Sequence, residues 1–233
     1  MLIVQDNPKS PISEAYRTLR TNIQFSNFDE DLNTILVTSS GPGEGKSTTA
    51  ANLALSMAET GKKVLLIDAD LRKPSLHKKF NVSNNKGISN LLIGQFKFAD
   101  VAQRYTENLF LLTSGTIPPN PSEMLSSKKM KIFLEEAKSN FDFIILDTPP
   151  IVAVTDAQLL STMVGGVLLV VAAGQAEIAA AQKAKELLEN VKANIVGVVL
   201  NKAEIGNGKN YGYYHYYYGE GHSKSKSVKK ATK

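Results

Sequence analysis

A glycine-rich loop between an apolar run and a helical run constrains this chain more than any other feature. The β-branched run 34–38 precedes the loop, and small and apolar residues recur at helical spacing over 50–58 after it, which predicts a strand, a loop and a helix. Glycines let several backbone N–H groups point to one place, and the N-terminus of the following helix adds partial positive charge. The sequence therefore predicts a polyphosphate-binding loop. It reads Ser39-Ser40-Gly41-Pro42-Gly43-Glu44-Gly45-Lys46-Ser47-Thr48-Thr49.

Lys46 and Ser47 carry the chemistry of this loop. Their order after a glycine matches a Walker A motif, except that Ser40 stands where the usual pattern has its first glycine. In such a loop the lysine reaches the β- and γ-phosphates, and the hydroxyl holds Mg²⁺. The alternative is a strand-to-helix turn with a solvated lysine. The predicted nucleotide-binding residues are Gly41, Pro42, Gly43, Glu44, Gly45, Lys46, Ser47, Thr48 and Asn201.

Carboxylates follow two later apolar runs. Residues 63–67 read as a buried parallel strand that ends in Asp68 and Asp70, and residues 141–146 lead to Asp147. Ligands of open α/β sheets bind at the carboxyl ends of strands, so these acids should emerge beside the loop. Asp68 and Asp70 suit Mg²⁺ coordination or acceptance of a proton from an attacking hydroxyl. Asp147 has the form of a Walker B acid. The alternative for Asp68 and Asp70 is that they cap the following turn.

The remaining pattern predicts an α/β fold of the P-loop NTPase class, with a mostly parallel sheet and helices on both faces. Further strands are predicted over 108–115, 167–173 and 195–200. Helices are predicted over 87–94, 125–139 and 176–190. Asn201 closes the last strand at the ligand edge, where its amide suits an adenine or guanine edge.

Length and composition suit one domain with a tail. We expect an N-terminal arm and interface helix over 1–28, a P-loop domain over 29–205 and a flexible tyrosine- and lysine-rich tail over 206–233. The absence of cysteine excludes disulfides and thiolate metal sites. The longest apolar run, 164–173, is about half of what a spanning helix needs, so neither a membrane helix nor a signal peptide is predicted.

The net charge of +5 belongs to the C-terminal end. Residues 222–233 hold five lysines and no acid, so the rest of the chain is balanced. Nucleic-acid binding would need basic residues clustered on a folded surface, and we do not predict nucleic acid as a partner. The end reads as a solvated segment, with an anionic membrane surface as an alternative contact.

Near the N-terminus, residues 1–11 read as an extended arm, and Ser13 is expected to cap a helix over 14–23. Glu14, Arg17 and Arg20 are spaced three apart, which places them along one side of that helix. The spacing fits a salt-bridged surface stripe and a subunit interface equally well.

Six of the eight tyrosines fall in one short window with polar, glycine-punctuated flanks, which argues against a core strand. They are Tyr211, Tyr213, Tyr214, Tyr216, Tyr217 and Tyr218. Exposed phenols close to a nucleotide site suit phosphate acceptors, and the alternative is an aromatic low-complexity tail for stacking or adhesion. The chain between Lys202 and Tyr211 can span roughly 30 Å, so a tyrosine can reach its own site or a neighbour's.

Together these segments resemble the bacterial tyrosine kinases of polysaccharide export, of the type found in Gram-positive bacteria. The resemblance covers nearly the whole chain. It is carried by the loop 40–48, Asp68-x-Asp70-x-Arg72, Asp147-Thr148-Pro149-Pro150, Glu14-x-x-Arg17-x-x-Arg20 and the tyrosine cluster.

The resemblance implies an ATP- and Mg²⁺-dependent kinase that phosphorylates its own tail and tyrosines of other proteins, regulating polysaccharide synthesis and export. Lys46, Asp68 and Asp70 would be catalytic, and Mg²⁺ would be held by Ser47, Asp68, Asp70 and Asp147. It also implies a homo-oligomeric ring in which one subunit's tail enters the next subunit's site. Glu14, Arg17 and Arg20 would form the ring interface. A separate transmembrane activator would recruit the cytoplasmic chain to the inner face of the membrane.

One class of relatives gives the alternative function. Septum-positioning and plasmid-partition ATPases carry an extra lysine early in the P-loop, and the equivalent position here is Gly41. An ATPase switch without kinase activity is therefore the second hypothesis.

Overall fold

A seven-stranded sheet lies at the centre of the residues that this computed structural model describes, 2–25 and 32–203. Its strands are β1 (Thr34–Ser39), β2 (Val64–Asp68), β3 (Gln103–Arg104), β4 (Leu109–Leu112), β5 (Phe143–Asp147), β6 (Gly166–Ala172) and β7 (Ile195–Asn201). Their order is β3-β4-β2-β5-β1-β6-β7, and all neighbours are parallel except β3 and β4. The predicted mostly parallel sheet is confirmed. Its parallel strands therefore end at one common edge.

Helices pack on both faces of this sheet, as predicted. They are α1 (Ile3–Asp6), α2 (Pro11–Phe25), α3 (Lys46–Ala58), α4 (Leu76–Phe80), α5 (Ile88–Leu92), α6 (Phe98–Val101), α7 (Pro121–Leu125), α8 (Lys128–Lys138), α9 (Asp156–Ser161) and α10 (Ile178–Asn190). One apolar cluster lies under α1, α2 and α3, and the other lies under α8, α9 and α10. Within the described ranges, none of these helices has the length and apolarity needed to cross a bilayer.

The central strands are apolar on both sides because both of their faces are covered. Every residue of β1, β2 and β5 is buried, which is the usual environment of a parallel strand between two helical layers. The polar exceptions are concentrated at the carboxyl ends, where Asp68 and Asp147 are completely buried. The acids Asp68 and Asp147 therefore lie at the ends of the buried strands β2 and β5.

The N-terminal segment differs from the sequence-based expectation. The expected extended arm contains α1, whose Ile3 and Val4 are buried against α3. The backbone N–H of Val4 donates to Asn52 Oδ1 at 3.1 Å. Ser13 is not the cap of the next helix, because α2 already begins at Pro11, a residue that suits the first helical position. The Ser13 hydroxyl instead contacts the backbone carbonyls of α1 and its following loop.

Other differences concern short elements. The helix predicted over 125–139 is two helices, α7 and α8, because Ser127 caps the second one by accepting a hydrogen bond from the N–H of Met130 at 3.2 Å. Strand β3 and helices α6 and α9 were not predicted, since each is too short to show a period. The tail 206–233 and its six tyrosines lie outside the described residues.

We predict that Ile145→Ala, in the buried centre of β5, lowers the free energy of unfolding by roughly 2–5 kcal/mol, since it leaves a cavity between two helical layers. Ile132→Ala is the matched control, because that isoleucine is 57% exposed on α8. Its effect should stay within about 0.5 kcal/mol. Chemical denaturation measures both, and equal losses in the two variants would contradict the burial of β5.

Candidate active site

The glycine-rich loop lies between β1 and α3 at the carboxyl edge of the sheet, as the sequence predicted. Gly43 and Gly45 have φ of +77° and +99°, in the left-handed region that favours glycine. A Cβ at Gly45 would also lie 2.0 Å from the side-chain nitrogen of Asn201. The conformation and the close approach together require glycine at this position.

Glu44 supports the loop from inside. Its carboxylate is buried and accepts hydrogen bonds from the Ser40 hydroxyl and the Gly41 N–H. This contact explains the serine at position 40, where the usual loop pattern has its first glycine. The Glu44 side chain therefore braces the loop, and a nucleotide contact by Glu44 stays a prediction.

The end of β7 braces the same loop from one side. The Asn201 side chain donates to the Glu44 carbonyl at 2.9 Å, and the Lys202 ammonium donates to the Gly43 carbonyl at 2.7 Å. Lys202 also contacts Gln175 Oε1 at 2.6 Å. Asn201 thus lies beside the loop as predicted, while its role in reading a purine base stays a prediction.

Lys46 joins the loop to the two strand ends that carry acids. Its Nζ lies 3.0 Å from Asp70 Oδ2, 3.6 Å from Asp147 Oδ1 and 3.2 Å from Ser47 Oγ. Burial lowers the pKa of Lys46, but Asp147, Asp70 and Asp68 more than offset this, so the pKa is raised overall. The ammonium group therefore stays charged beside the acids.

Asp68 and Asp147 are register partners at the ends of neighbouring strands β2 and β5. One Asp68 oxygen accepts from the N–H groups of Ser75 and Leu76, at 3.0 and 2.9 Å. The capping alternative is thus correct for that oxygen. The other Asp68 oxygen and both Asp147 oxygens are buried without a hydrogen-bond partner in the described part of the chain.

The pKa values of these two acids reflect burial and mutual repulsion. Burial raises the pKa of Asp68, the charge of Asp147 raises it further, and the result is about 7. Burial likewise raises the pKa of Asp147, although the nearby Lys46 charge opposes this shift. Two buried carboxylates in one place favour either a bound proton or a bound cation.

The residues present fit a Mg²⁺ ion shared with a nucleotide. The three unpartnered carboxylate oxygens and the Ser47 hydroxyl are hard oxygen ligands of the kind that Mg²⁺ prefers. Across residues 2–25 and 32–203, no cluster of three or more His, Cys, Asp or Glu side chains has the arrangement of a protein-only metal cage. Mg²⁺ commonly keeps water and takes phosphate oxygens from a substrate, which agrees with such an incomplete set.

Asp70 differs from the other two acids because it faces a cavity. One of its oxygens contacts Lys46, and the other accepts from the Lys73 N–H at 2.9 Å. The cavity has a volume of about 390 Å³. It is lined by loop residues together with Asp70, Lys73, Ser75, Lys79 and Pro150. Asp70, although 4% exposed, is therefore the one of the three acids that lines this cavity.

Lys79 is a site residue that sequence reasoning missed. It lies on α4, its Nζ donates to Thr48 Oγ1 at 2.9 Å, and it lines the same cavity as the loop. Burial lowers its pKa; the charge of Asp147 opposes the shift and that of Lys46 reinforces it. The signal that could have revealed Lys79 is the group of basic residues that follows Asp70 on the connection after β2.

A second missed residue, Asp156, holds the loop that carries Asp70. It is fully buried at the start of α9 and accepts two hydrogen bonds from Arg72, at 2.9 and 3.0 Å. Ser122 contacts both partners. A bidentate arginine pair of this kind fixes the orientation of both groups. Arg72 therefore ties the connection after β2 to α9 and α7.

The charged stripe of α2 makes contacts within one chain. The Arg17 guanidinium donates to both carboxylate oxygens of Glu59, at 3.0 and 3.1 Å, and lies 3.3 Å from Glu14. Arg20 donates to the Ser56 carbonyl at 2.6 Å. These are the contacts of a salt-bridged surface stripe. The interface role of the three residues stays a prediction.

Comparisons with known proteins agree with this geometry. Residues 32–232 match the family model described as ParA, NUBPL iron-transfer P-loop NTPase. The tyrosine-protein kinase YwqD of Bacillus subtilis strain 168 is 48% identical over 213 residues, which are 91% of this chain and 90% of that protein. The crystal structure of the chimerical protein CapA2B2 is 45% identical with a TM-score of 0.83, covering 87% of this chain and 89% of that one.

A more distant likeness concerns the fold alone. The septum site-determining protein MinD of Pyrococcus horikoshii, solved with Mg-ADP, has a TM-score of 0.62 at 24% identity and covers 77% of this chain and 75% of that one. The chain therefore belongs to the ParA-type P-loop NTPases and, among them, to the bacterial tyrosine kinases.

Proposed function

We propose that this chain transfers the γ-phosphoryl group of ATP to tyrosine hydroxyls, both in its own C-terminal cluster and in other proteins. The observation that carries the proposal is the convergence of Lys46 with Asp68, Asp70 and Asp147 beside a polyphosphate-binding loop. The name of YwqD, a tyrosine-protein kinase that matches most of the chain, supports the same reaction.

In this reaction the tyrosine oxygen forms a bond to the γ-phosphorus while the bond from that phosphorus to the bridging oxygen of ADP breaks. Negative charge accumulates on the transferred group and on the leaving oxygen. Lys46, the N–H groups of the loop and the N-terminus of α3 are placed to stabilise that charge. Ser47, Asp68, Asp70 and Asp147 form the proposed Mg²⁺ site. Bound Mg²⁺ supplies neutralisation of the phosphate charge.

Proton transfer is assigned to Asp70. A phenol has an ordinary pKa of about 10 and is a weak nucleophile at neutral pH, so a carboxylate must accept its proton as the new bond forms. Asp70 lines the cavity, whereas Asp68 is buried and bonded to the N–H groups of Ser75 and Leu76. We therefore assign Asp68 mainly to Mg²⁺ binding and Asp70 mainly to accepting the proton of the tyrosine hydroxyl.

The family resemblance supports three further parts of the proposal. A separate transmembrane activator recruits the chain to the inner face of the cell membrane, where it regulates polysaccharide synthesis and export. The active form is a ring whose interface includes Glu14, Arg17 and Arg20, and one subunit's tail enters the next subunit's site. Each phosphotyrosine adds about −1.5 to −2 charges, so six of them, roughly −9 to −12, outweigh the five lysines at the end of the chain and loosen the ring.

The second candidate is an ATPase switch of the septum-positioning or partition class. The fold-level likeness to MinD favours it. Gly41, at the position where that class has its extra lysine, disfavours it. The two functions differ in the product, because only the kinase leaves phosphate on the protein.

We predict that incubation of the full chain with Mg²⁺, ATP and the cytoplasmic segment of its activator raises the intact mass by successive phosphate increments. Lys46→Met should abolish the increments, since it removes the cation at the γ-phosphate, and a persistent signal would point to a contaminating kinase. Replacement of the six tail tyrosines by Phe should abolish them while ATP binding is retained. ATP hydrolysis without any mass increment would support the ATPase switch instead.

We predict that replacing both Arg17 and Arg20 by Ala lowers the molar mass of the complex formed with the activator segment, measured by light scattering. Arg104→Ala, on the exposed edge strand β3, should leave the mass unchanged. Thermal unfolding of the double variant is a necessary control, because both arginines also contact α3 within the chain. Phosphorylated wild-type protein should show the same reduced mass. An unchanged mass in either case would contradict the corresponding part of the proposal.

We predict that, without Mg²⁺ or nucleotide, the free energy of unfolding falls as the pH rises from about 4 to about 7. Folding raises the pKa of Asp68 from 3.8 to about 7, so the folded chain holds this proton more tightly than the unfolded chain. The stability gained from protonation is present at low pH and is lost across this window. Denaturation in EDTA measures the slope.

The controls for the pH experiment separate this site from other carboxylates. Asp68→Asn should flatten the slope of stability against pH. Asp142→Asn, at an exposed position, should leave that slope unchanged. Mg²⁺ with ADP should reduce the loss near pH 7, since a cation stabilises the ionised acids. A slope that is unaffected by Asp68→Asn would show that Asp68 does not cause it.

A further inference from the structure

Two lysines line the phosphate cavity from outside the loop, the exposed Lys73 and the half-buried Lys79. Lys79 lies on the short helix α4, which follows β2 and the acids at its end. Its side chain is half-buried, and its Nζ donates to Thr48 Oγ1 at 2.9 Å, at the N-terminal turn of α3. Gly43, Gly45 and Lys46 line the same cavity. The ammonium group is therefore held where a polyphosphate on the loop would lie.

Lys79 forms no direct ion pair among the described residues, although Asp147 is close enough to favour its charged form. Over residues 2–25 and 32–203, no carboxylate lies within 4.0 Å of its Nζ, whereas Lys46 lies 3.0 Å from Asp70 and 3.6 Å from Asp147. A partly buried cation is costly unless an anion or good hydrogen bonds compensate for the lost hydration. One neutral hydroxyl is a weak partner for an ammonium group. A phosphate oxygen in the cavity would complete its environment.

The sheet order places Asn201 and Lys79 on opposite sides of the loop. The loop follows β1, which has β6 and then β7 on one side and β5 and then β2 on the other. Asn201 ends β7 and contacts the loop from its side, while Lys79 follows β2 on the opposite side. If the base lies at Asn201, as the sequence predicted, the phosphates would run across the loop toward the side of Asp70 and Lys79. The terminal phosphate would then lie next to Lys79.

We propose that Lys79 binds the terminal phosphate of the bound nucleoside triphosphate and is a further catalytic residue of this chain. The inference rests on the proposed function for the direction of the nucleotide. Lys46 and Lys79 would contact the terminal phosphate from two different elements, the loop and α4. Charge on the transferring group grows at this position, so a preorganised cation there stabilises the transition state. Lys79 also brings to the cavity a cation that the loop itself lacks at Gly41.

The test compares nucleotide binding and phosphoryl transfer in Lys79→Met, with the neighbouring exposed Lys78→Met as matched control. Binding of the imido analogue of ATP and of ADP, each with Mg²⁺, is measured by calorimetry on the full chain. We expect Lys79→Met to weaken binding of the ATP analogue about tenfold and to leave ADP within about twofold, because only the triphosphate has the terminal group. Phosphate incorporation should fall about 100-fold.

Two control variants show whether the effect is specific to the charge of Lys79. Lys79→Arg should restore discrimination between the ATP analogue and ADP, since it keeps the charge, and Lys78→Met should behave as wild type. Equal weakening of both nucleotides, or no weakening of either, would overturn the role of Lys79. The binding readout does not require kinase activity, so it separates this inference from the proposed function. If wild-type protein never gains phosphate, the kinase proposal fails; a loss confined to the ATP analogue would still support Lys79.

Discussion

The burial of two carboxylates at the ends of adjacent parallel strands is the constraint on which the rest of the site depends. Asp68 and Asp147 are register partners with no exposed surface, and three of their four oxygens lack a hydrogen-bond partner within the described residues. Such a pair is unfavourable unless a proton or a cation compensates it. Lys46 supplies part of that compensation from the loop. The burial of these acids therefore favours a bound cation, such as the Mg²⁺ of the proposed function.

The loop itself depends on one support within it and on another that lies far away in the sequence. Glu44 fixes its first turn from inside through Ser40 and Gly41, and Asn201 holds its second half from β7. Because Gly45 has a positive φ and lies against Asn201, a side chain at that position would break the conformation and the contact together. The protein's own side chains thus fix the backbone of the loop, and preorganised backbone donors are the condition for efficient electrostatic catalysis.

The sequence alone predicted the parts of this site that belong to periodic elements. Long apolar strands ending in Asp68 or Asp147 and a glycine loop ending in Lys46 are local signals, and parallel-sheet geometry brings them together without further information. The partners of Ser13, the break before Ser127 and the short helix α9 escaped prediction. Each of these depends on contacts between distant segments, or on elements of a few residues that have no detectable period.

Lys79 and Asp156 show why the missed site residues matter for function. Neither belongs to a motif, yet one faces the phosphate cavity and the other anchors Arg72 on the connection that carries Asp70. This connection therefore contributes an acid, two of the lysines that line the cavity and an anchor, and the P-loop contributes Lys46. A kinase must hold its acceptor as well as its donor in line for transfer. Asp70, the proposed proton acceptor, is thus held from two sides: its connection is anchored by the pair of Arg72 with the buried Asp156, and its carboxylate contacts Lys46 of the loop.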